Sequence, residues 1–166
     1  MKKTICLLTG IFLLALNTVS YSEENKEYNF FTGMFDFSDD KQAALIFGFQ
    51  HQNENLERET FLGNVSPITG GFITENSAAY IYTGIEWNVD MGGNLIFTPS
   101  FAPGLYHEGN GKDLGHILEF KTEVQFSYRS SDEVSFGMSY NHVSNASLGD
   151  KNPGANSYEF NFLKRF

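Results

Sequence analysis

The chain has 166 residues, of which 11 are Lys or Arg and 20 are Asp or Glu, so it carries a net charge of −9. This length accommodates one domain, and the excess of acidic side chains disfavours binding to nucleic acid or to an anionic surface. Aromatic residues make up 16% of the sequence, with 17 Phe and 8 Tyr, which is typical of strands that have one apolar and one polar face.

The first 22 residues have the layout of a secretory signal peptide. Lys2 and Lys3 precede the apolar run ICLLTGIFLLAL, and NTVSYS follows it. We expect removal of residues 1–22 and a mature domain over residues 23–166. Cys6, the single cysteine, lies in the removed segment, so the mature chain is predicted to have neither a disulfide nor thiol chemistry. No other stretch is apolar for about 18 residues, which argues against a membrane-spanning helix.

The rest of the sequence alternates apolar and polar residues with a period of two, as strands with one apolar face do. Turn signals such as SDD, VDMGG and RSSDE separate the segments. The alternation predicts eight strands, at residues 28–37, 41–51, 66–74, 79–89, 94–106, 115–129, 133–144 and 156–166. The stretch NENLERETFLGN, between the second and third strands, is predicted to be a solvated loop.

The number and length of these strands favour an all-β fold, an eight-stranded antiparallel transmembrane β-barrel, over a soluble ligand-binding barrel or sandwich. Eight is an even number, and most segments have the roughly 9–11 residues that cross a bilayer at a tilt. The last strand ends on an aromatic residue and places four aromatic side chains on one face: Tyr158, Phe160, Phe162 and Phe166. This pattern resembles the C-terminal strand of outer-membrane barrels. Together with the signal peptide, it predicts location in a bacterial outer membrane.

A barrel of this size is filled by side chains, so a wide pore is not expected. In the sixth and seventh predicted strands the even-numbered residues are mostly apolar and are expected to face lipid. The opposite parity faces the interior. We expect the inward charges to form a packed polar network, whose members are Glu119, Lys121, Glu123, Arg129, Glu159 and Arg165.

His142 and Ser144 interrupt the apolar face of the seventh strand. They continue the face that carries Tyr140, and Asn156 has the parity of Tyr158 on the next strand. Polar side chains that face lipid cost free energy unless they are partnered or lie at the interface. One interpretation is that the strand has reached the wet headgroup layer. The other is a serine hydrolase with a membrane substrate, because residues i and i+2 of a strand share a face at roughly 6.5–7 Å and a His there can activate the Ser.

At these residues the sequence resembles a known family, the lipid A 3-O-deacylases of the PagL type, also called acyloxyacyl hydrolase-like proteins. The resemblance runs through SPITGGF, YIYTGIEW, TPSFAPGLYHEGNGKDLGHILEF and HVSNASLGDKNPGANS. It implies an eight-stranded outer-membrane barrel whose external Ser-His-acid triad hydrolyses the ester-linked 3-hydroxyacyl chain of lipid A. Carried over residue by residue, it implies Ser144 as the nucleophile, His142 as the general base and Asn145 as an oxyanion or orienting residue.

The sequence departs from the family pattern at the acid. Where the pattern has Glu, this chain has Asn156, twelve residues after Ser144. An amide can orient a histidine but cannot neutralise the imidazolium, and the acid-to-amide change in a serine-protease triad costs roughly 10⁴ in rate. We expect Asn156 to be the third member. Asp150, in the intervening turn, is an alternative acid, and a site without a functional third member is the remaining alternative.

The implied reaction needs neither a metal nor an organic cofactor, takes lipid A of lipopolysaccharide as its substrate, and leaves a homodimer open. Four polar residues, His107, Glu108, Asp113 and His116, lack a recognisable metal-ligand spacing and are interpreted as solvated loop residues. The rival function is a noncatalytic outer-membrane barrel, structural or adhesive, that has lost the triad acid.

Overall fold

The computed structural model of the chain describes residues 26–39, 41–61 and 63–166. The signal peptide predicted for residues 1–22 lies outside the described residues. Among those that are described, no helix has the length and apolarity needed to cross a membrane. The strands are β1 (Lys26–Phe35), β2 (Ala44–Asn53), β3 (Arg58–Thr60), β4 (Gly63–Thr74), β5 (Ala79–Gly92), β6 (Leu95–His107), β7 (Leu118–Arg129), β8 (Val134–Ser144) and β9 (Ala155–Arg165).

Eight of these strands form a closed antiparallel barrel. Consecutive strands pair with one another, and the barrel closes because β1 pairs with β9 while β2 pairs with β4. The predicted eight-stranded barrel is therefore confirmed. The predicted loop over residues 53–64 differs in detail, since it contains a short helix, Glu54–Leu56, then β3 and the first residues of β4. β3 pairs with the first residues of β4 and is exposed along its length, so it extends a hairpin beyond the barrel wall.

The outer surface of the barrel is an apolar belt. Along β7, β8 and β9 the side chains predicted to face lipid are exposed: Val124, Phe126, Tyr128, Phe136, Met138, Tyr140, Tyr158, Phe160 and Phe162. Aromatic rings pack across neighbouring strands, as Phe136 and Phe162 do with 5.5 Å between their centroids. Such a continuous exposed apolar surface is what contact with lipid requires.

The middle of the barrel interior contains the predicted polar network. Lys121 is almost fully buried, and its Nζ lies 2.9 Å from Oε2 of Glu123 and 4.8 Å from the ring centroid of Tyr82. Glu159 is buried and accepts a hydrogen bond from Nδ2 of Asn141 at 2.7 Å, whereas the carboxylate oxygens of buried Glu119 have no hydrogen-bond partner among the described residues. The two arginines of the predicted set, Arg129 and Arg165, instead line a cavity of about 240 Å³ near the end of the barrel.

Four loops, at residues 36–43, 75–78, 108–117 and 145–154, lie at one end of the barrel, which we call the loop end. The opposite end, the turn end, has the short connections at 93–94 and 130–133 and the outer ends of β1 and β9. Beneath the loop end the interior is aromatic rather than polar. Its buried rings are Phe31, Phe35, Phe72, Tyr80, Tyr82 and Tyr106. This aromatic plug supports the loops from below.

Candidate active site

Three polar residues singled out in the sequence lie together on the outer face of the wall, at the loop end. The register of the antiparallel pair β8 and β9 places His142 opposite Asn156. Ser144 is the last residue of β8 and shares the face of His142, two residues earlier. All three side chains are half-buried. Strand alternation and pairing therefore bring the predicted nucleophile, base and third member to one exterior patch.

The imidazole of His142 has a defined partner. Its Nδ1 lies 2.8 Å from Oδ1 of Asn156, and the hydroxyl of Tyr140 donates to the same oxygen, also at 2.8 Å. Because an amide oxygen only accepts hydrogen bonds, His142 donates from Nδ1, and in the neutral imidazole Nε2 is then the nitrogen without a proton. This tautomer is the one that a general base beside a serine requires.

Asn156 is held from its other side by the segment that follows β1. The N–H of Phe37 donates to the carbonyl oxygen of Asn156 at 3.0 Å, and Nδ2 of Asn156 donates to Oγ of Ser38 at 3.2 Å. The N–H of Asn156 points at Oδ1 of Asp36 at 3.4 Å. Both the backbone and the side chain of Asn156 are therefore positioned by residues 36–38, which the sequence analysis did not single out.

Asp36 is a buried acid next to this patch. Its side chain is 1% exposed and forms an ion pair with Lys112, whose Nζ lies 2.6 Å from Oδ2. Its other oxygen, Oδ1, lies 3.5 Å from Oγ of Ser38. The backbone of Asp36 has a φ of 50°, a conformation that Asp and Asn tolerate better than most residues. The carboxylate therefore sits two hydrogen bonds away from the amide that contacts His142.

Asn145 connects the two long loops beside Ser144. It is fully buried, and its Nδ2 donates to the carbonyl oxygens of Leu114 and Lys151, both at 2.8 Å. Its backbone N–H donates to Oδ1 of Asn152 at 3.1 Å. Both amide hydrogens of Asn145 are used within the protein, an arrangement that matches the orienting alternative for this residue rather than the oxyanion one.

The chain reverses direction immediately after Asn145. The N–H of Leu148 donates to the carbonyl oxygen of Asn145 at 3.0 Å, and the two residues between them, Ala146 and Ser147, have φ values of 52° and 64°. This is the geometry of a type I′ turn, in which Asn and Gly are preferred at the central positions. Two residues with side chains at positive φ store local strain next to the site.

The other candidate residues are exposed and lie in the loops, except His107, which is the last residue of β6. Asp150, the alternative acid, is exposed, while Nδ1 of His142 is bonded to Asn156. Asp113 pairs with Lys151, Oδ2 to Nζ 2.5 Å, and accepts a hydrogen bond from the N–H of Gly115; these contacts lower the pKa of Asp113. Within residues 26–39, 41–61 and 63–166, no group of three or more His, Cys, Asp or Glu side chains could hold a metal ion.

The surface on the β7 side of Ser144 is apolar. Phe120 lies opposite Ser144 in the register of β7 and β8, and its ring stacks on that of Phe101 with 6.0 Å between centroids. Ile117 and Leu148, in the adjoining loops, are exposed. Ser144 thus lies at a boundary, with hydrogen-bonding groups on the β9 side and an apolar surface on the β7 side.

A family model matches most of the sequence, and several solved structures share the barrel fold. The model of the family described as lipid A 3-O-deacylase (PagL) matches residues 47–165. Among solved structures, the outer membrane enzyme PagL has a TM-score of 0.66 at 15% identity, covering 83% of this chain and 98% of that one. Neisserial surface protein A (NspA) has a TM-score of 0.59 at 9% identity, covering 87% of this chain and 98% of that one. A de novo designed transmembrane β-barrel has a TM-score of 0.56 at 8% identity, covering 89% of this chain and 100% of that one. At these identities the structures show the fold. No curated protein matches the sequence.

Proposed function

The chain belongs to the lipid A 3-O-deacylase (PagL) family and is an outer-membrane β-barrel, and on that premise we propose that it hydrolyses the ester-linked 3-hydroxyacyl chain of lipid A with Ser144 and His142. The observation that carries the proposal is the 2.8 Å contact between His142 Nδ1 and Asn156 Oδ1 on the outer face, with Ser144 on the same strand face. Polar side chains there cost free energy in a barrel that serves only as a scaffold.

The proposed reaction proceeds in two steps. Nε2 of His142 takes the proton of the Ser144 hydroxyl as Oγ attacks the ester carbonyl carbon. The tetrahedral intermediate then collapses, the lipid A hydroxyl leaves with the proton from His142, and an acyl ester remains on Ser144. Water, deprotonated by His142, attacks that ester and releases the 3-hydroxy fatty acid. Ser144 regains its proton, so the cycle needs no redox partner.

Asn156 takes the place of the acid in this proposal. It fixes the tautomer and the ring orientation of His142 but adds no negative charge when the imidazolium forms. A triad with an amide at this position is slower than one with a carboxylate, by roughly 10⁴ in serine proteases. We therefore expect a slow enzyme unless a nearby carboxylate compensates. Asn145 is proposed as the orienting residue that holds the loops around Ser144.

The site's place on the barrel suits a membrane substrate. Outer-membrane barrels have their longer loops outside the cell, so the loop end and the patch with Ser144 are expected to face outward. Lipid A would then reach Ser144 by lateral diffusion in the outer leaflet. Its acyl chain would lie along the apolar surface of Phe120 and Phe101, and its polar sugar would lie toward the loops.

Mass spectrometry of lipid A tests the proposal directly. Cells whose lipid A carries a 3-O-linked 3-hydroxyacyl chain would express the parent protein, Ser144→Ala or His142→Ala, at matched levels of heat-resistant folded barrel in the outer membrane. We expect the parent alone to remove one 3-hydroxyacyl mass. Unchanged activity in Ser144→Ala would remove Ser144 as the nucleophile. Unmodified lipid A with every variant would instead favour the noncatalytic barrel.

A further inference from the structure

Asn156 is an unusual third member because an amide can face a histidine with either its oxygen or its nitrogen. With the oxygen toward Nδ1, His142 keeps its proton there and Nε2 is basic; with the nitrogen toward Nδ1, the tautomer is reversed and Nε2 carries the proton. Catalysis by Ser144 requires the first arrangement. A group elsewhere must therefore determine which way the amide points.

We propose that Asp36 acts through Ser38 as the positioning residue that sets the orientation of Asn156 and the tautomer of His142. This inference rests on the proposed function of Ser144 and His142. A carboxylate accepts hydrogen bonds and donates none. Oγ of Ser38, 3.5 Å from Oδ1 of Asp36, therefore points its hydrogen at the carboxylate and presents a lone pair to Asn156. That lone pair accepts from Nδ2 of Asn156 at 3.2 Å.

Every donor in this chain of hydrogen bonds points toward Asp36. Oδ1 of Asn156 consequently faces away from Ser38 and accepts from His142 and from Tyr140, each at 2.8 Å. Asp36 also accepts from the N–H of Asn156, which brings its negative charge close to the amide dipole. The Asp36 carboxylate thus supplies, without contacting His142, part of the electrostatic support that the missing triad acid would give to the His142 imidazolium.

The surroundings of Asp36 suit this role. The ion pair with Lys112 keeps the carboxylate in one orientation, with Oδ2 on Lys112 and Oδ1 on the side of Ser38. The aromatic ring of Phe37 packs on Tyr158 at 5.1 Å between centroids and holds the segment against β9. Asp36 and Ser38 precede residues 47–165, the part of the chain that the PagL family model matches.

Two substitutions of similar shape at position 38 test the role of the Ser38 hydroxyl. Ser38→Thr keeps the hydroxyl, and Ser38→Val has nearly the same shape without it. On purified, folded enzyme acting on lipopolysaccharide in detergent micelles, we expect Ser38→Val to lower kcat at least about fivefold relative to Ser38→Thr, the effect of one hydrogen bond, with KM unchanged. Equal kcat values for the two variants would overturn the proposal, while an active parent and inactive Ser144→Ala would leave the proposed function intact.

The role of the Asp36 carboxylate is tested by the direction in which Asp36→Asn changes kcat in two backgrounds. Asp36→Asn keeps a residue that tolerates a φ of 50° but can donate from its amide, so in the parent background we expect kcat to fall. In the Asn156→Glu background the introduced carboxylate would lie beside Asp36 and be repelled by it, so the same Asp36→Asn change should raise kcat. A merely structural role for Asp36 would lower kcat in both backgrounds and contradict the proposal. If either protein fails to fold, the pair at position 38 decides.

Discussion

Gly154 lies directly against the imidazole of His142. A Cβ at Gly154 would be 2.7 Å from Cε1 and 3.1 Å from Nε2 of that ring, and the glycine has a φ of 60°. The nitrogen proposed as the catalytic base is therefore in contact with a position where any side chain would displace it. The distance between these two residues leads to a mutational test.

We expect Gly154→Ala to abolish most activity, because the methyl group must push the imidazole away from its bond with Asn156. Misplacing a reacting group by 1 Å can cost about 10²-fold in rate. Gly93→Ala is the control, since Gly93 has a φ of 61° but open space where the Cβ would be. The positive φ should cost both variants roughly 1–2 kcal/mol in stability, and only Gly154→Ala adds the clash with His142. Equal activity of the two, measured as kcat on lipopolysaccharide, would contradict the contact.

The turn after Ser144 leads to a second prediction. Ala146 has a φ of 52°, so Ala146→Gly removes steric strain while adding backbone entropy to the unfolded chain. These effects nearly cancel, and we expect a change in unfolding free energy within about 1 kcal/mol. Ala146→Val places a β-branched residue at positive φ and should destabilise by more than about 1 kcal/mol. Thermal unfolding in detergent, followed by the heat-dependent shift in gel mobility, distinguishes them; similar midpoints for the two variants would refute the strained turn.

The strands of the barrel wall could be predicted because their apolar and polar residues alternate with a period of two in the sequence. β7 and β8 alternate apolar and polar residues clearly, and their exposed faces match the prediction. The aromatic plug had no such signal. On β5, Tyr80 and Tyr82 face inward while Ile81 and Ile85 face outward, so both faces are apolar and the alternation disappears. The polarity of the interior therefore cannot be inferred from parity on every strand.

Only the site residues that lie on two consecutive strands could be predicted from the sequence. His142 and Ser144 lie on β8 and Asn156 on β9, so parity and pairing of consecutive strands placed them on one face. Asp36 and Ser38 come more than 100 residues earlier, at and just beyond the end of the predicted strand 28–37, where no local pattern links them to Asn156. They reach Asn156 because the barrel closes through β1 and β9, a long-range pairing that juxtaposes the two ends of the sequence.

A third prediction concerns the contacts of Asn145. Asn145→Ala leaves the carbonyl oxygens of Leu114 and Lys151 without their donor, each loss costing about 1–3 kcal/mol where the group stays buried. Asn152→Ala removes one bond, to the backbone N–H of Asn145, and should cost less. Activity is measured for each variant, and limited proteolysis in the 108–117 and 145–154 loops measures how well these loops are ordered. Activity lost in Asn145→Ala with unchanged protection of both loops would favour an oxyanion role over the orienting one.

The last prediction concerns the buried ion pair of the interior. Lys121 and Glu123 are both nearly inaccessible, so Lys121→Met leaves a carboxylate buried without its cation, and we expect a loss of about 3–5 kcal/mol in unfolding free energy. Lys164→Met is the matched control, because the partner of Lys164, Glu133, is 68% exposed and the pair should contribute less than about 1 kcal/mol.

Urea unfolding in lipid vesicles compares the two variants. The double variant Lys121→Met with Glu123→Gln removes the uncompensated charge, so it should recover part of the stability lost in Lys121→Met. No recovery in the double variant would mean that the loss comes from the packing of the Lys121 side chain on the Phe31 and Tyr82 rings. Equal losses for Lys121→Met and Lys164→Met would mean that burial adds nothing to the ion pair, and that the interior is wetter than its side-chain packing indicates.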